Sequence, residues 1–130
     1  MFRADELVTA IGGTLVGGRP DRLIDAISTD TRRLEPGALF WALRGERYDA
    51  ASFVDDALAK GACGAVLPEA AVSPACRRQG REIVIISDRE TLRALQDAAS
   101  VYRARFRLPV VGVTGSNGKT TTKEMAAAIL

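Results

Sequence analysis

Lys119 and Thr120 close a glycine-bearing stretch, Gly115-Ser116-Asn117-Gly118-Lys119-Thr120, that follows the β-branched run Val110-Val111-Gly112-Val113. Backbone N–H groups in such a loop can turn inward and cradle phosphate oxygens, because glycine permits turns and close approaches closed to other residues. A helix beginning near Thr120 would turn its positive end toward the same phosphates. A lysine at this position supplies a point charge for β- and γ-phosphates, and a threonine hydroxyl is placed to coordinate Mg²⁺. The chemistry implied is a grip on ATP. Its candidate residues are Thr114, Gly115, Ser116, Asn117, Gly118, Lys119, Thr120 and Thr121, with Lys119 and Thr120 as the catalytic pair and Thr120 as the Mg²⁺ ligand. The general pattern G-x-x-x-x-G-K-[ST] asks for glycine at 113, where this chain has Val113 and a glycine one residue earlier. The competing reading is a plain glycine turn before a helix, with an exposed lysine.

A second group with chemical potential is Ser28, Thr29, Asp30, Thr31 and Arg32. Short donors and acceptors stand at the end of an expected strand, and the arginine fork suits a diphosphate. Turn formation alone also explains them, since Ser, Thr and Asp favour turns. Arg44, Gly45, Glu46 and Arg47 follow the apolar run Ala38 to Leu43, beyond a strand end where α/β proteins put ligand contacts. A solvated charged loop is the alternative there. Phe40, Trp41 and Leu43 read as core.

Elements must hold these groups in place. Arg3 to Ile11 carries Leu7, Val8 and Ile11 at helical spacing, and Gly12-Gly13 stops it. Strands are expected at 14–16, 23–30, 38–43, 65–67, 83–86 and 110–113. A helix capped by Ser52 should run to Lys60, with Phe53, Ala57 and Leu58 inward. Ser87 and Glu90 fit a capping box before a long helix to Phe106, whose apolar stripe is Leu92, Leu95, Ala99, Tyr102 and Phe106. Another helix starts at Thr120. Strands alternating with helices predict an α/β fold with mostly parallel pairing. A small N-terminal α/β domain over 1–84 is expected, followed over 85–130 by the first strand, phosphate loop and helix of a P-loop ATPase-type parallel-sheet domain. That second part looks incomplete, because a phosphate loop normally opens its domain.

Composition narrows the classes. The 18 basic and 16 acidic residues nearly balance, at net +2, which argues against a nucleic-acid-binding arm. Arg77, Arg78 and Arg81 read as a solvated loop. No stretch approaches the ~20 apolar residues of a membrane span, and the N-terminus lacks a signal-peptide pattern. Cys63 sits in an apolar run and reads as a buried small hydrophobe. With Cys76 as the only other cysteine, a reducing cytoplasm is the default. The chain has no histidine, which excludes Ser/His and Cys/His catalysis and His-based metal sites within it.

The segment from Thr114 to Met125 resembles the nucleotide loop of the Mur ligases, which extend the peptide of the peptidoglycan precursor with ATP. In that family the shifted first glycine is usual. The continuation Lys123-Glu124-Met125 is most similar to the member that adds D-alanyl-D-alanine. Ser28 to Arg32, then Pro36 to Asp49, is similar to the domain that binds the UDP-sugar in the two later ligases of the pathway. The family often continues this segment with Gly-His, where Ala50-Ala51 stand here. The resemblance implies UDP-sugar binding by Ser28, Thr29, Asp30, Thr31, Arg32, Arg44, Gly45 and Glu46. It implies ATP and Mg²⁺, and as partners a UDP-N-acetylmuramoyl-peptide and D-alanyl-D-alanine. It also implies a monomeric cytoplasmic enzyme working through an acyl phosphate. The sister ligase that adds a diamino acid and a non-catalytic nucleotide-sugar-binding module stay open as alternatives. These 130 residues are not expected to turn over on their own, since other metal ligands, the amine site and any base would come from downstream sequence.

Overall fold

The computed structural model describes residues 2–44, 50–72, 83–87 and 90–129. Its centre is a five-stranded sheet in the order β2-β7-β6-β5-β4. The strands are β2 (Gly13–Gly17), β4 (Ile27–Ser28), β5 (Leu39–Trp41), β6 (Gly64–Pro68) and β7 (Ile83–Ser87). Strands β4 to β7 run parallel and β2 closes the other side antiparallel. The α/β class with mostly parallel pairing is as expected. The expected strand over 23–30 is divided, because β3 (Leu23–Ile24) pairs instead with β1 (Phe2–Arg3) in a separate two-stranded ribbon.

Alternating side chains bury both faces of the sheet. Leu39, Trp41, Val66, Ile83 and Ile85 face α1 (Ala4–Ile11) and α3 (Thr91–Ala104), with Leu7, Ile11, Ala94 and Ala98 in the same core. Phe40, Ala42, Ala65 and Leu67 face α2 (Val54–Ala59) through Val54 and Ala57. The period of two is what a strand buried on both faces demands. Phe40 and Trp41 are core, as expected, and Cys63 is buried among apolar residues, where desolvation raises its thiol pKa. Cys76, Arg77, Arg78 and Arg81 lie outside the described residues.

The local signals worked unevenly. Gly12 ends α1 in the left-handed conformation at φ 61°, as the glycine pair predicts. A short 3-10 turn, Ala50–Phe53, precedes α2, so Ser52 is not its cap, and Phe53 is largely exposed. Ser87 ends β7 instead of capping α3, whose N-cap is Glu90. The fully buried residues of α3 are Thr91, Ala94 and Ala98, while of the expected stripe Leu95 packs partly buried against the same core. Leu92 and Ala99 are exposed, because the small alanines let α3 lie close to α1. Tyr102 instead stacks against Phe2, with ring centroids 5.5 Å apart, and meets Phe106 edge-on at 5.2 Å.

The expected boundary after Val84 falls inside β7, and α3 shares the core of α1. Helix α3 thus packs with the elements that precede it. Beyond it, the Arg103 guanidinium donates to the carbonyl oxygens of Phe106 (2.7 Å) and Leu108 (2.8 Å), fixing the chain as it leaves the helix. Val110 to Val113 form no strand: a ladder needs a neighbour, and no described segment lies alongside. Val110 and Val111 are more than 70% exposed. Helix α4 (Lys119–Ile129) follows, with no buried residue. Among the described residues, no helix is long and apolar enough to cross a membrane.

Candidate functional site

Parallel pairing brings the carboxyl ends of β4, β5, β6 and β7 to one edge of the sheet. In open α/β sheets this is the edge that meets ligands. Ser28 is the last residue of β4, so the expected UDP-sugar residues begin there.

Residues 28–32 form a compact hydrogen-bonded knot. The Ser28 hydroxyl donates to the Asp30 carbonyl at 3.0 Å and accepts from the Asp30 N–H at 3.3 Å. The Asp30 carboxylate accepts from the Arg32 N–H at 2.9 Å, and from Nε and Nη2 of the Arg32 guanidinium at 3.0 and 2.7 Å. That guanidinium, with its backbone N–H, pulls the Asp30 carboxyl down to about 2. The arginine expected to greet a diphosphate thus has two of its donors on its own aspartate, while its side chain remains 85% exposed. Thr29 is exposed and Thr31 half-buried.

At the carboxyl ends of β6 and β7, a cleft of about 800 Å³ opens, with Arg44 beyond β5 also lining it. Arg44, Ser52, Glu69, Ser87, Glu90 and Thr91 are among its lining residues. Arg44 follows β5 and lines this cleft. Gly45, Glu46, Arg47, Tyr48 and Asp49 lie outside the described residues. Ser52, Ser87 and Thr91 were missed as lining residues. The strand-end position of Ser87 was the signal that could have found it.

The glycine loop stands apart from this edge. Gly118 takes φ 74° and Gly115 φ 152°, conformations that favour glycine. The Thr122 N–H donates to the Gly118 carbonyl at 2.9 Å and begins the helical ladder of α4. The Lys119 ammonium folds back across the loop and donates to the Gly115 carbonyl. Thr114, Ser116, Asn117, Thr120 and Thr121 are exposed around it. Lys123 pairs with Glu124 at 2.5 Å on the helix surface. Among the described residues, no group of three or more His, Cys, Asp or Glu side chains is arranged to hold a metal. A single hydroxyl such as that of Thr120 suits an ion that takes its other ligands from phosphate oxygens and water, as Mg²⁺ does.

Residues 23–103 match the Mur ligase family, catalytic domain. The chain belongs to the Mur ligase family. It is 46% identical over 110 residues to a UDP-N-acetylmuramoyl-tripeptide–D-alanyl-D-alanine ligase from Synechocystis, covering 85% of this chain and 23% of that protein. The chain thus spans about a quarter of the length of such relatives. The crystal structure of MurF from Acinetobacter baumannii superposes with TM-score 0.80 at 33% identity, over 98% of this chain and 27% of the other. The MurF ligase from Thermotoga maritima, solved in complex with ADP, gives TM-score 0.62 at 30% identity, over 77% and 22%. The matched family segment holds the knot, Arg44 and α3, but stops before the glycine loop. The superposition on the Acinetobacter baumannii structure spans nearly the whole chain.

Proposed function

We propose that this chain is the front part of an ATP-dependent ligase that joins D-alanyl-D-alanine to a UDP-N-acetylmuramoyl-tripeptide. The observation that carries the proposal is the loop before α4, with Lys119 laid across it against Gly115. A carboxylate is a poor acylating agent. Transfer of the γ-phosphoryl group of ATP to the tripeptide carboxylate gives an acyl phosphate, and the amine of D-alanyl-D-alanine then displaces phosphate. Lys119 would neutralise the γ-phosphate, and the backbone of Gly115 to Gly118 would cradle the phosphate chain. Thr120 would hold Mg²⁺, which supplies further charge neutralisation. That the Thermotoga maritima relative was solved in complex with ADP supports use of an adenine nucleotide.

The UDP-sugar would rest on the edge formed by Ser28, Thr29, Asp30, Thr31 and Arg32 with Arg44, Gly45 and Glu46. We also infer two units, one ending with α3 and the other beginning at Pro109. The enzyme would act in the cytoplasm as a monomer.

Calorimetric titration of Mg-ATP and of UDP-N-acetylmuramoyl-tripeptide into the chain tests the proposal. Saturable binding of each, without competition between them, is the expected result. Binding of the UDP-sugar alone would leave a nucleotide-sugar-binding module in its place, and binding of neither would remove both readings.

A further inference from the structure

The knot at residues 28–32 is made of contacts within the segment, which shape it but do not fix it to the body of the protein. The side chains that do so come from α2. The Lys60 ammonium donates to the Thr31 carbonyl oxygen at 3.3 Å and to the Asp56 carboxylate at 2.8 Å. Lys60 first, then the Thr31 side chain, lower the pKa of Asp56. Lys60 thus bridges the Asp56 carboxylate on α2 and the backbone carbonyl of Thr31, bracing the turn after β4 against α2. Lys60 and Asp56 are each a little under half exposed, so the brace forms at the surface and can loosen without disturbing either core.

We propose that Asp56 and Lys60 are positioning residues for the nucleotide-sugar site: they hold the Ser28–Arg32 turn in the shape that receives a nucleoside diphosphate. This rests on the UDP-sugar reading given above. Preorganising a loop raises affinity by removing the ordering cost from the binding step. A second role for Lys60, as a charge that merely attracts the diphosphate, makes the opposite prediction for its partner. Removing Asp56 makes the surface more positive, so a charge effect would tighten binding, whereas loss of the brace would weaken it.

The test is calorimetry with uridine diphosphate on the chain and on Lys60→Met, Lys60→Arg and Asp56→Ala, with melting temperatures measured in parallel. Wild type should bind. Lys60→Met should bind about five- to tenfold more weakly and Asp56→Ala at least about threefold more weakly. Lys60→Arg should recover most of the loss. All four should melt within a few degrees of each other. Unchanged affinity in Lys60→Met and Asp56→Ala, or tighter binding by Asp56→Ala, overturns the inference. A wild-type chain that ignores uridine diphosphate overturns the nucleotide-sugar reading itself, and this inference with it.

Discussion

The indole Nε1 of Trp41 donates a 2.8 Å hydrogen bond to the carbonyl oxygen of Thr91. Both residues are buried, and fifty positions separate them. The bond ties the end of β5, three residues before Arg44, to the first turn of α3, where Thr91 lines the cleft.

Trp41→Phe keeps an aromatic ring but loses the donor and some volume. It should cost about 2 kcal/mol of stability, from the lost hydrogen bond and the small cavity. Urea unfolding should show an earlier midpoint with an unchanged slope.

Gly64 sits where β6 passes β7. A Cβ built there would lie 1.9 Å from the Ile83 carbonyl oxygen and 2.6 Å from the Ile83 backbone nitrogen. Backbone cannot swing aside as a side chain can. Gly64→Ala should therefore cost about 3 kcal/mol, or prevent folding. Gly112→Ala, with no atom within 4 Å of the added carbon, is the control. It should change stability by less than about 0.5 kcal/mol. Circular dichroism during urea titration compares the two.

Lys119→Ala should leave the fold intact, since the side chain is exposed and serves no core. Its cost should fall on Mg-ATP binding, by roughly 1.5–3 kcal/mol for a charge-assisted contact, or tenfold and more in affinity. Equal titration curves for the two proteins would deprive the lysine of its proposed role.

Asp30 makes acid the natural probe of the knot. Its folded pKa of about 2 lies below the usual 3.8, so its pairing with Arg32 stabilises the folded chain above pH 3.8. That contribution fades as pH falls from about 4 to about 2. Asp56 is also lowered, chiefly by Lys60, so its pairing likewise weakens as pH falls. Asp30→Asn should lose stability at neutral pH and show a flatter acid limb than wild type. Urea midpoints measured between pH 6 and pH 2 would reveal a difference in slope.

Contiguous patterns were legible in the sequence, and distant contacts were not. The unbroken apolar run Ala38 to Leu43 announced a buried strand, and β5 lies within it. The turn chemistry of Ser28, Thr29 and Asp30 announced a local knot. Helix α3 was foreseen within two residues at each end, yet only part of its expected inward stripe, Leu95, packs on the core. Periodicity follows the larger apolar residues, whereas close packing against α1 selected Ala94 and Ala98. The Asp56–Lys60 pair reads in sequence as an ordinary i,i+4 pair on a helix. Nothing local says that Lys60 also reaches Thr31, because that contact exists only once β4 and β5 lie side by side. Val110 to Val113 carry the composition of a strand, but composition cannot supply the neighbour a ladder requires.

The brevity of β4 has a consequence for life in a crowded solution. This outermost strand contributes only Ile27 and Ser28 before the chain turns away. An exposed sheet margin is normally a template on which other polypeptides stack, and proteins blunt it by shortening or charging it. Here a stray chain would find two residues to pair with and then the ion-paired turn of Asp30 and Arg32. Resistance to clumping and the shape of the proposed ligand edge thus come from the same early departure of the backbone.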